Sequence, residues 1–429
     1  CRGQTPNATT PEHHCSRYHA FGPGIEEGLL LWHDDEGISE RLIERTIRER
    51  SLQARVPGLP LAILGGQLYV INGRAQALAN AMPWQADNLV VYAHALRSLV
   101  ARWGTALPDV ELVIESADVP TQDLAEPAAA AAPGQAEPDA WGDPHGRLPV
   151  MRHCKTASSP DILIPTFHFY TMHFDTDFLA AADRFERDNP WSAKLPAAFG
   201  AGTSYHRQQG SPSTTKAWDG KNRGTTVKML RSGFSEYLSA ELRHPHINYA
   251  SGSVPISEWG RFQMVMHLDG ISCSSRLWQL LALGSVVLRE QSGYYAFYDK
   301  LLTRFVHFVP FWSHRPREVV WAFNWVRANQ EAAEGIASRG QMFAREYLNR
   351  QAVECYWLML LGRYARLQRF KPGVRSGAGA ANGTGGGSTQ PGSGELLPID
   401  AWLAAQDGTV NGWPPDHAVN RFKDLNLIK

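Results

Sequence analysis

The densest chemistry in the chain lies in one run, Met264-Val265-Met266-His267-Leu268-Asp269-Gly270-Ile271-Ser272-Cys273-Ser274-Ser275-Arg276. An apolar strand ends at Asp269-Gly270, a loop of small residues follows, and a helix is expected to open near Ser274 or Ser275. Helix openings carry unpaired N–H groups and partial positive charge, Ser274 and Ser275 add hydroxyls, and the forked Arg276 side chain matches phosphate oxygens. That combination can hold a diphosphate without a G-x-x-x-x-G-K-[ST] loop. The same residues equally describe a serine-capped helix with a surface arginine, and composition leaves both open. Other patterns carry less. No H-E-x-x-H, G-x-S-x-G or dinucleotide G-x-G-x-x-G stands in the right context. Asp175-Thr176-Asp177 has the form of a metal-holding Asp-x-Asp, but it precedes a helical stretch and reads as an N-terminal cap. The basic stretch from Lys216 to Arg231 reads as a solvated face, and Trp312, Trp321 and Trp325 as core.

The elements that must position these residues alternate in type. Ile38 to Ser51 reads as an amphipathic helix, and Leu61 to Leu64 with Gln67 to Asn72 as a hairpin turning at Gly65-Gly66. Asn88 to Trp103 follows as a helix, then Val110 to Ile114 and Asp161 to Ile164 as buried strands. Phe262 to Leu268 reads as a strand, Ser275 to Leu283 as a helix, Ser285 to Arg289 as a strand, Tyr294 to Leu302 as a helix and Val306 to Val309 as a strand. Pro316 to Asn329 and Glu331 to Arg369 are helical. Strands alternating with helices predict an α/β chain with parallel sheets, and the length suits two doubly wound lobes with a ligand at the strands' carboxyl ends. Residues 124–146, with the run Ala128 to Ala132, and the Gly/Ser-rich 372–395 read as loop and linker. The tail from Glu395 brings Trp402 and Trp413, which invite docking.

Bulk properties narrow the class. The chain has 429 residues and 43% hydrophobic content, enough for more than one core. Lys plus Arg and Asp plus Glu each total 42, a balance unlike a dedicated nucleic-acid binder. No run of about 18 apolar residues is present, so no membrane span is expected. The five cysteines form no C-x-x-C pair, which argues against a zinc ribbon. Cys1 and Cys15 bracket a short polar loop and either close a disulfide or stay as free thiols. Asn7-Ala8-Thr9 and Asn382-Gly383-Thr384 are glycosylation sequons, compatible with a secretory protein.

The order of motifs adds a resemblance. Pro160-Asp161-Ile162-Leu163-Ile164-Pro165 and Trp191-x-x-Lys194 come first. Asp269, Gly270, Ser274 and Arg276 follow, with Leu-Gly-Ser-Val-Val-Leu at 283–288, Phe297-Tyr298, Leu301-Leu302 and Val306-His307-Phe308-Val309-Pro310. Ile336-Ala337-x-x-Gly340-x-x-Phe343 and Tyr356-x-x-x-Leu360-Leu361 close the series. Over roughly residues 35–370 this resembles the Rumi-like glycosyltransferases of family 90, which comprise protein O-glucosyltransferases and capsule-type xylosyltransferases.

The resemblance implies a GT-B fold of two Rossmann-like lobes around a cleft. It implies an inverting transfer from UDP-glucose or UDP-xylose to a protein serine or a glycan, with no cofactor and no metal. The expected domains are a loop-rich segment 1–34, an acceptor-side lobe 35–190 and a UDP-sugar lobe 191–345. A helix 346–371 packs back on the first lobe, and linker 372–395 and tail 396–429 complete the chain. The secretory lumen (endoplasmic reticulum or Golgi, with secretion also open) is the implied compartment. An inverting transfer needs one base. The family pattern Arg-Asp-x-Pro falls on Ala117-Asp118-Val119-Pro120, which makes Asp118 the expected base and Glu115 the rival carboxylate; a turn aspartate before proline is the plainer alternative. Donor contacts are expected from Gly202, Thr203, Arg207, Asp269, Gly270, Ser274, Ser275 and Arg276. Phe167, His168 and Phe169 are expected along the acceptor and sugar side, core packing being the alternative for the two phenylalanines, and His307 is expected to be structural. Ala201 and Ala296 stand where the family carries arginine and glutamate. Those two departures motivate a second expectation, a glycan-binding protein that has lost turnover.

Overall fold

The structure, a computed structural model, describes residues 10–33, 37–52, 58–72, 83–118, 147–157, 159–171, 178–202, 234, 237–373 and 395–406. Eleven strands among them form two sheets. Sheet I contains β1 (Leu59–Leu64), β2 (Gln67–Ile71), β3 (Val110–Ile114), β4 (Val150–Arg152), β5 (Ile162–Leu163) and β11 (Leu396–Pro398), in the order β11-β2-β1-β3-β4-β5. Sheet II contains β6 (Leu195–Gly202), β7 (Ile247–Ser251), β8 (Phe262–His267), β9 (Val286–Glu290) and β10 (Val309–Phe311), in the order β10-β9-β8-β6-β7.

Sheet II is parallel throughout. Sheet I is mixed: β3, β4 and β5 are parallel, whereas β1 pairs antiparallel with both β2 and β3. The expectation of parallel sheets therefore holds for all of sheet II and only half of sheet I. The cause is local. The β1–β2 turn uses Gly65 and Gly66 at φ 54° and 75°, the left-handed pair that a two-residue hairpin needs. A Cβ on Gly66 would also stand 2.6 Å from the Gly104 backbone.

Helices cover the sheets. α1 (Phe21–Leu29), α2 (Glu40–Ile47) and α3 (Pro83–Trp103) precede or flank sheet I. α4 (Leu277–Leu281), α5 (Glu318–Ala328) and α6 (Gln330–Tyr347) belong to sheet II. α7 (Arg350–Leu367) returns to pack on β3 and α1, and α8 (Ile399–Gln406) packs on α3 and β2. The return of α7 is fixed by Gln368, whose side chain bonds both the N–H and the carbonyl of Glu111, and by the Tyr356 hydroxyl on the Leu163 carbonyl. The two faces of sheet II belong to different cores. Val265 and Val287 face a large core that also holds the strands of sheet I, while Met264, Met266, Val286 and Leu288 face a smaller one with α5. This is the period-two alternation of strands.

Several local expectations move. The helix expected over Ser275–Leu283 is the five-residue α4, because Ser274 N–H is held by Asp269 and Gly284 at φ 64° ends the turn. Its N-cap is Arg276, with no side-chain cap of its own, while the Ser274 hydroxyl accepts the Arg276 N–H at 3.4 Å just ahead of the helix. The helix expected over Tyr294–Leu302 is a single 3-10 turn at Asp299–Leu301, since Gly293 at φ 86° and backbone pairing of Tyr295 with Lys155 keep the segment extended. The strand expected over Val306–Val309 starts at Val309, after a turn in which Phe305 takes φ 58°. Trp312 is buried as expected, but Trp321 is 51% exposed. The tail does dock: β11 extends sheet I and Trp402 is fully buried, while Trp413 lies outside the described residues.

Two disulfides tie distant segments. Cys15 bonds Cys355, 340 residues away, so the alternatives of a Cys1–Cys15 bridge or a free Cys15 thiol are both overturned. Cys154 bonds Cys273 and joins the segment after β4 to the loop after β8.

Candidate active site

The carboxyl ends of the two sheets meet at a seam. Beyond β4, Cys154 is bonded to Cys273, and the Cys273 N–H points at the Cys154 sulfur at 3.0 Å. One residue further, Lys155 and Tyr295 exchange both backbone hydrogen bonds, at 3.2 and 3.0 Å. The loop that follows β4 is thus stitched to the loops that follow β8 and β9. Ligands of α/β folds bind at such strand ends.

On the sheet I side, parallel pairing sets Ile114 beside Met151 and brings the next residues together. Glu115 is 2% exposed and pairs with two guanidinia: Arg50 at 2.6 Å and Arg152. A carboxylate so engaged is a structural counter-ion, which removes Glu115 as the rival base. Arg152 is itself 2% exposed; it donates to the Ala117 carbonyl at 3.0 Å and stands 3.8 Å from the Asp161 carboxylate. Asp118, the next residue, is only half-buried. Burial pushes its carboxyl above the ordinary aspartate range, and the nearby Arg152 pulls it partly back. A proton acceptor at a strand end has this character. Pro120 lies outside the described residues.

On the sheet II side, Asp269 organises the loop. Its Oδ1 accepts the Ser274 N–H at 2.8 Å, its Oδ2 accepts the Ser292 hydroxyl, and its own N–H donates to Glu290 at 3.0 Å. Gly270 N–H closes on the Ser272 carbonyl at 2.9 Å. Arg276, half-buried, donates to the Ala201 carbonyl at 2.7 Å and lies over the Trp259 ring at 5.4 Å. This bond brings Arg276 to the end of β6 beside Gly202, whose carbonyl accepts from Gly252. Gly202, Asp269, Gly270, Ser274, Ser275 and Arg276 therefore gather at one carboxyl edge. Thr203 and Arg207 lie outside the described residues, as do Asp175 to Asp177.

Phe167 and Phe169 are 8% and 7% exposed. Phe167 packs edge-on against Tyr92 and His153, and Phe169 lies 5.1 Å from the Trp278 ring, so core packing accounts for both. His168 is half-buried and its Nδ1 shares a 3.1 Å hydrogen bond with the Thr166 hydroxyl. His307 accepts the Thr303 N–H at 2.9 Å, a structural role as expected. Lys194, from the Trp191-x-x-Lys194 motif, is buried under the Gly260 and Leu283 carbonyls at the amino ends of the strands, away from the seam. A cavity of about 340 Å³ opens at the end of β9 between Arg289, Ser292, Tyr294, Lys300 and Arg304. It touches the Asp269 loop through Ser292 but is lined by none of the expected site residues. Among the described residues, one group of His, Cys, Asp and Glu atoms is close enough to share an ion, His14 with Cys15 and Cys355, and its two sulfurs are spent in a disulfide.

Arg152 is the site residue that sequence reasoning missed. Its one local signal is a basic residue closing the otherwise apolar run Leu148 to Met151.

With this geometry in view, the family comparison is decisive: the family described as Glycosyl transferase family 90 matches residues 10–383. The chain belongs to glycosyl transferase family 90. This bears out the resemblance carried by the motifs. Among curated relatives, Protein O-glucosyltransferase 2 of Danio rerio is 28% identical, over 53% of this chain and 45% of that protein. The O-glucosyltransferase rumi of Drosophila melanogaster is 26% identical over 65% of this chain and 64% of its own length. Protein O-glucosyltransferase 1 of Homo sapiens is 23% identical over 85% and 83%. The chain thus spans about half to two thirds of the first relatives it matches. Of solved structures, Anabaena Alr3699/HepE in complex with UDP-glucose is similar at a TM-score of 0.26 and 12% identity, covering 44% of this chain and 52% of that one. A likeness so low carries no argument about either fold or ligand.

Proposed function

We propose that this family 90 chain is an inverting glycosyltransferase that moves glucose or xylose from a UDP-sugar to a hydroxyl of a protein serine or a glycan. The observation that carries this reading is the seam, where the carboxyl ends of sheets I and II are clasped by Cys154–Cys273 and by the Lys155–Tyr295 pairing. Asp118 follows β3 on one side, and the loop from Asp269 to Arg276 follows β8 on the other. The chemistry needs those two parts. Asp118 takes the acceptor proton as the acceptor oxygen attacks the anomeric carbon, the bond from that carbon to the diphosphate oxygen breaks on the opposite face, and UDP leaves with the electron pair. Arg276 and the N–H groups and hydroxyls of the loop stabilise the departing charge, with Thr203 and Arg207 as further donor contacts. The reading assigns the leaving-group charge to these groups and gives no step to a metal or cofactor.

The lobes of the GT-B reading are residues 35–190 around sheet I and 191–345 around sheet II, with 346–371 returning to the first. The 1–34 segment, the 372–395 linker and the 396–429 tail flank them. His168 belongs to the acceptor side in this reading, with Phe167 and Phe169 supporting it from the core. Two disulfides support an oxidising compartment, the secretory lumen. The test is UDP release from UDP-glucose and UDP-xylose in EDTA, comparing wild type with Asp118→Asn. Turnover lost only in the variant supports the reading. Glycan binding without UDP release by the wild type supports a lectin-like protein, the alternative raised by Ala201 and Ala296.

A further inference from the structure

The charges buried behind Asp118 come from five side chains. Arg50 and Arg152 face Glu115 and Asp161, two cations against two carboxylates, and all but Arg50 are at most 2% exposed. Lys155, also buried, adds a third cation and donates to the Asp161 carbonyl at 2.7 Å. His153 stands next to Arg152 and is neutral at ordinary pH, since burial holds it down to about 3. Asp118 is the third carboxylate and brings the cluster to balance. The family pattern Arg-Asp-x-Pro would place a guanidinium at position 117. This chain has Ala117 there, and the guanidinium of Arg152 arrives from β4 on the Ala117 carbonyl at 3.0 Å.

We propose that Arg152 is the positioning residue of Asp118: through the Ala117 carbonyl it fixes the backbone that presents the carboxylate, and its charge keeps that carboxylate in the proton-accepting form. In this chain the guanidinium at that place comes from the neighbouring strand. This rests on Asp118 being the base. The geometry suits the role, because a fork already held by Glu115 cannot swing away from the Ala117 carbonyl. Removing the cation takes away the charge that pulls the Asp118 carboxyl back, which raises its titration further.

The test reads the Asp118 carboxyl directly, by carbon NMR of the protein labelled at aspartate, with Asp118→Asn assigning the signal. Arg152→Gln is expected to raise its midpoint by about one pH unit. Adding Ala117→Arg to Arg152→Gln is expected to return it toward the wild-type value, and Arg152→Lys to hold it there. The acid limb of UDP release from UDP-glucose is expected to move with the midpoint. Where Arg152→Gln does not fold, Arg152→Gln/Glu115→Gln removes the pair together and carries the same expectation. A midpoint unmoved by loss of the guanidinium, or not restored by Ala117→Arg, overturns the inference. Full activity in Asp118→Asn instead overturns the assignment of the base, and leaves the titration result standing as a fact about position 118.

Discussion

At the carboxyl edge of sheet I, charge is carried by side chains that neutralise one another: Arg50 and Arg152 on Glu115, with Asp161 close by. At the carboxyl edge of sheet II, two buried carboxylates, Asp269 and Glu290, are spent on the Ser274 N–H, the Ser292 hydroxyl and the Asp269 N–H, and the cation Arg276 stays half-buried at the rim. Each edge thus holds a buried hydrogen-bonded scaffold, ionic in sheet I and neutral-donor in sheet II, beside one partly open charged group, Asp118 or Arg276. The difference teaches how to tell a working charge from a supporting one. Glu115 and Asp118 are three residues apart in the chain, and their partners and burial distinguish them.

The largest effects separate those two carboxylates. Asp118→Asn is expected to slow UDP release by roughly 10²–10⁴-fold with little change in melting. Glu115→Gln is expected to cost about 3–5 kcal/mol of stability, because it breaks a buried pair and strands the guanidinia; denaturant titration measures it. Equal loss of activity at equal stability in both would erase the contrast. Next comes the clasp between the edges. Cys154→Ser/Cys273→Ser is expected to cost about 2–4 kcal/mol, read by denaturant unfolding of the non-reduced protein. On the sheet II side, Arg276→Ala is expected to weaken UDP binding by about 2–4 kcal/mol in calorimetry, and an unchanged affinity would remove it from the donor site. Two pH effects are smaller. With Asp118 as the proposed base, transfer is expected to need its ionised carboxyl, which burial raises above the ordinary aspartate range, so the acid limb of the rate is expected at higher pH than for an exposed aspartate. His153 titrates near 3 in the folded chain against 6.5 unfolded, so the unfolded state binds the extra proton between those values. Stability is therefore expected to fall as pH drops from 6.5 toward 3, and His153→Phe to flatten part of that slope.

Much of this frame was legible because its signals are local. The glycine pair at the β1–β2 turn, the apolar run of β3 and the strand ending at Asp269 each announce themselves within a few residues. The missing helix at Tyr294 was not legible, since it is set by pairing with Lys155, distant in the chain, and the short α4 was not because its limit is a local side-chain bond from Asp269 to the Ser274 N–H. β6 was equally hidden. It is rich in alanine and glycine where strands favour branched residues, and Gly200 is needed because a Cβ there would come within 2.5 Å of the Tyr249 ring. In the candidate site, Asp118 and Arg276 follow from motif order. Arg152 does not, because 34 residues and an alanine-rich stretch separate it from Ala117, and only the parallel pairing of β3 with β4 makes them neighbours.

The tail strand β11 lies beyond residue 383, where the family match ends, yet it hydrogen-bonds along β2 and carries Trp402 into the core. An expression boundary drawn at residue 383 would therefore strip sheet I of its outermost ribbon, leaving β2 a bare template for self-association beside an indole-sized hole. Recombinant versions that stop short of Gln406 are expected to be recovered as aggregates, whereas those that run past it keep the sheet sealed.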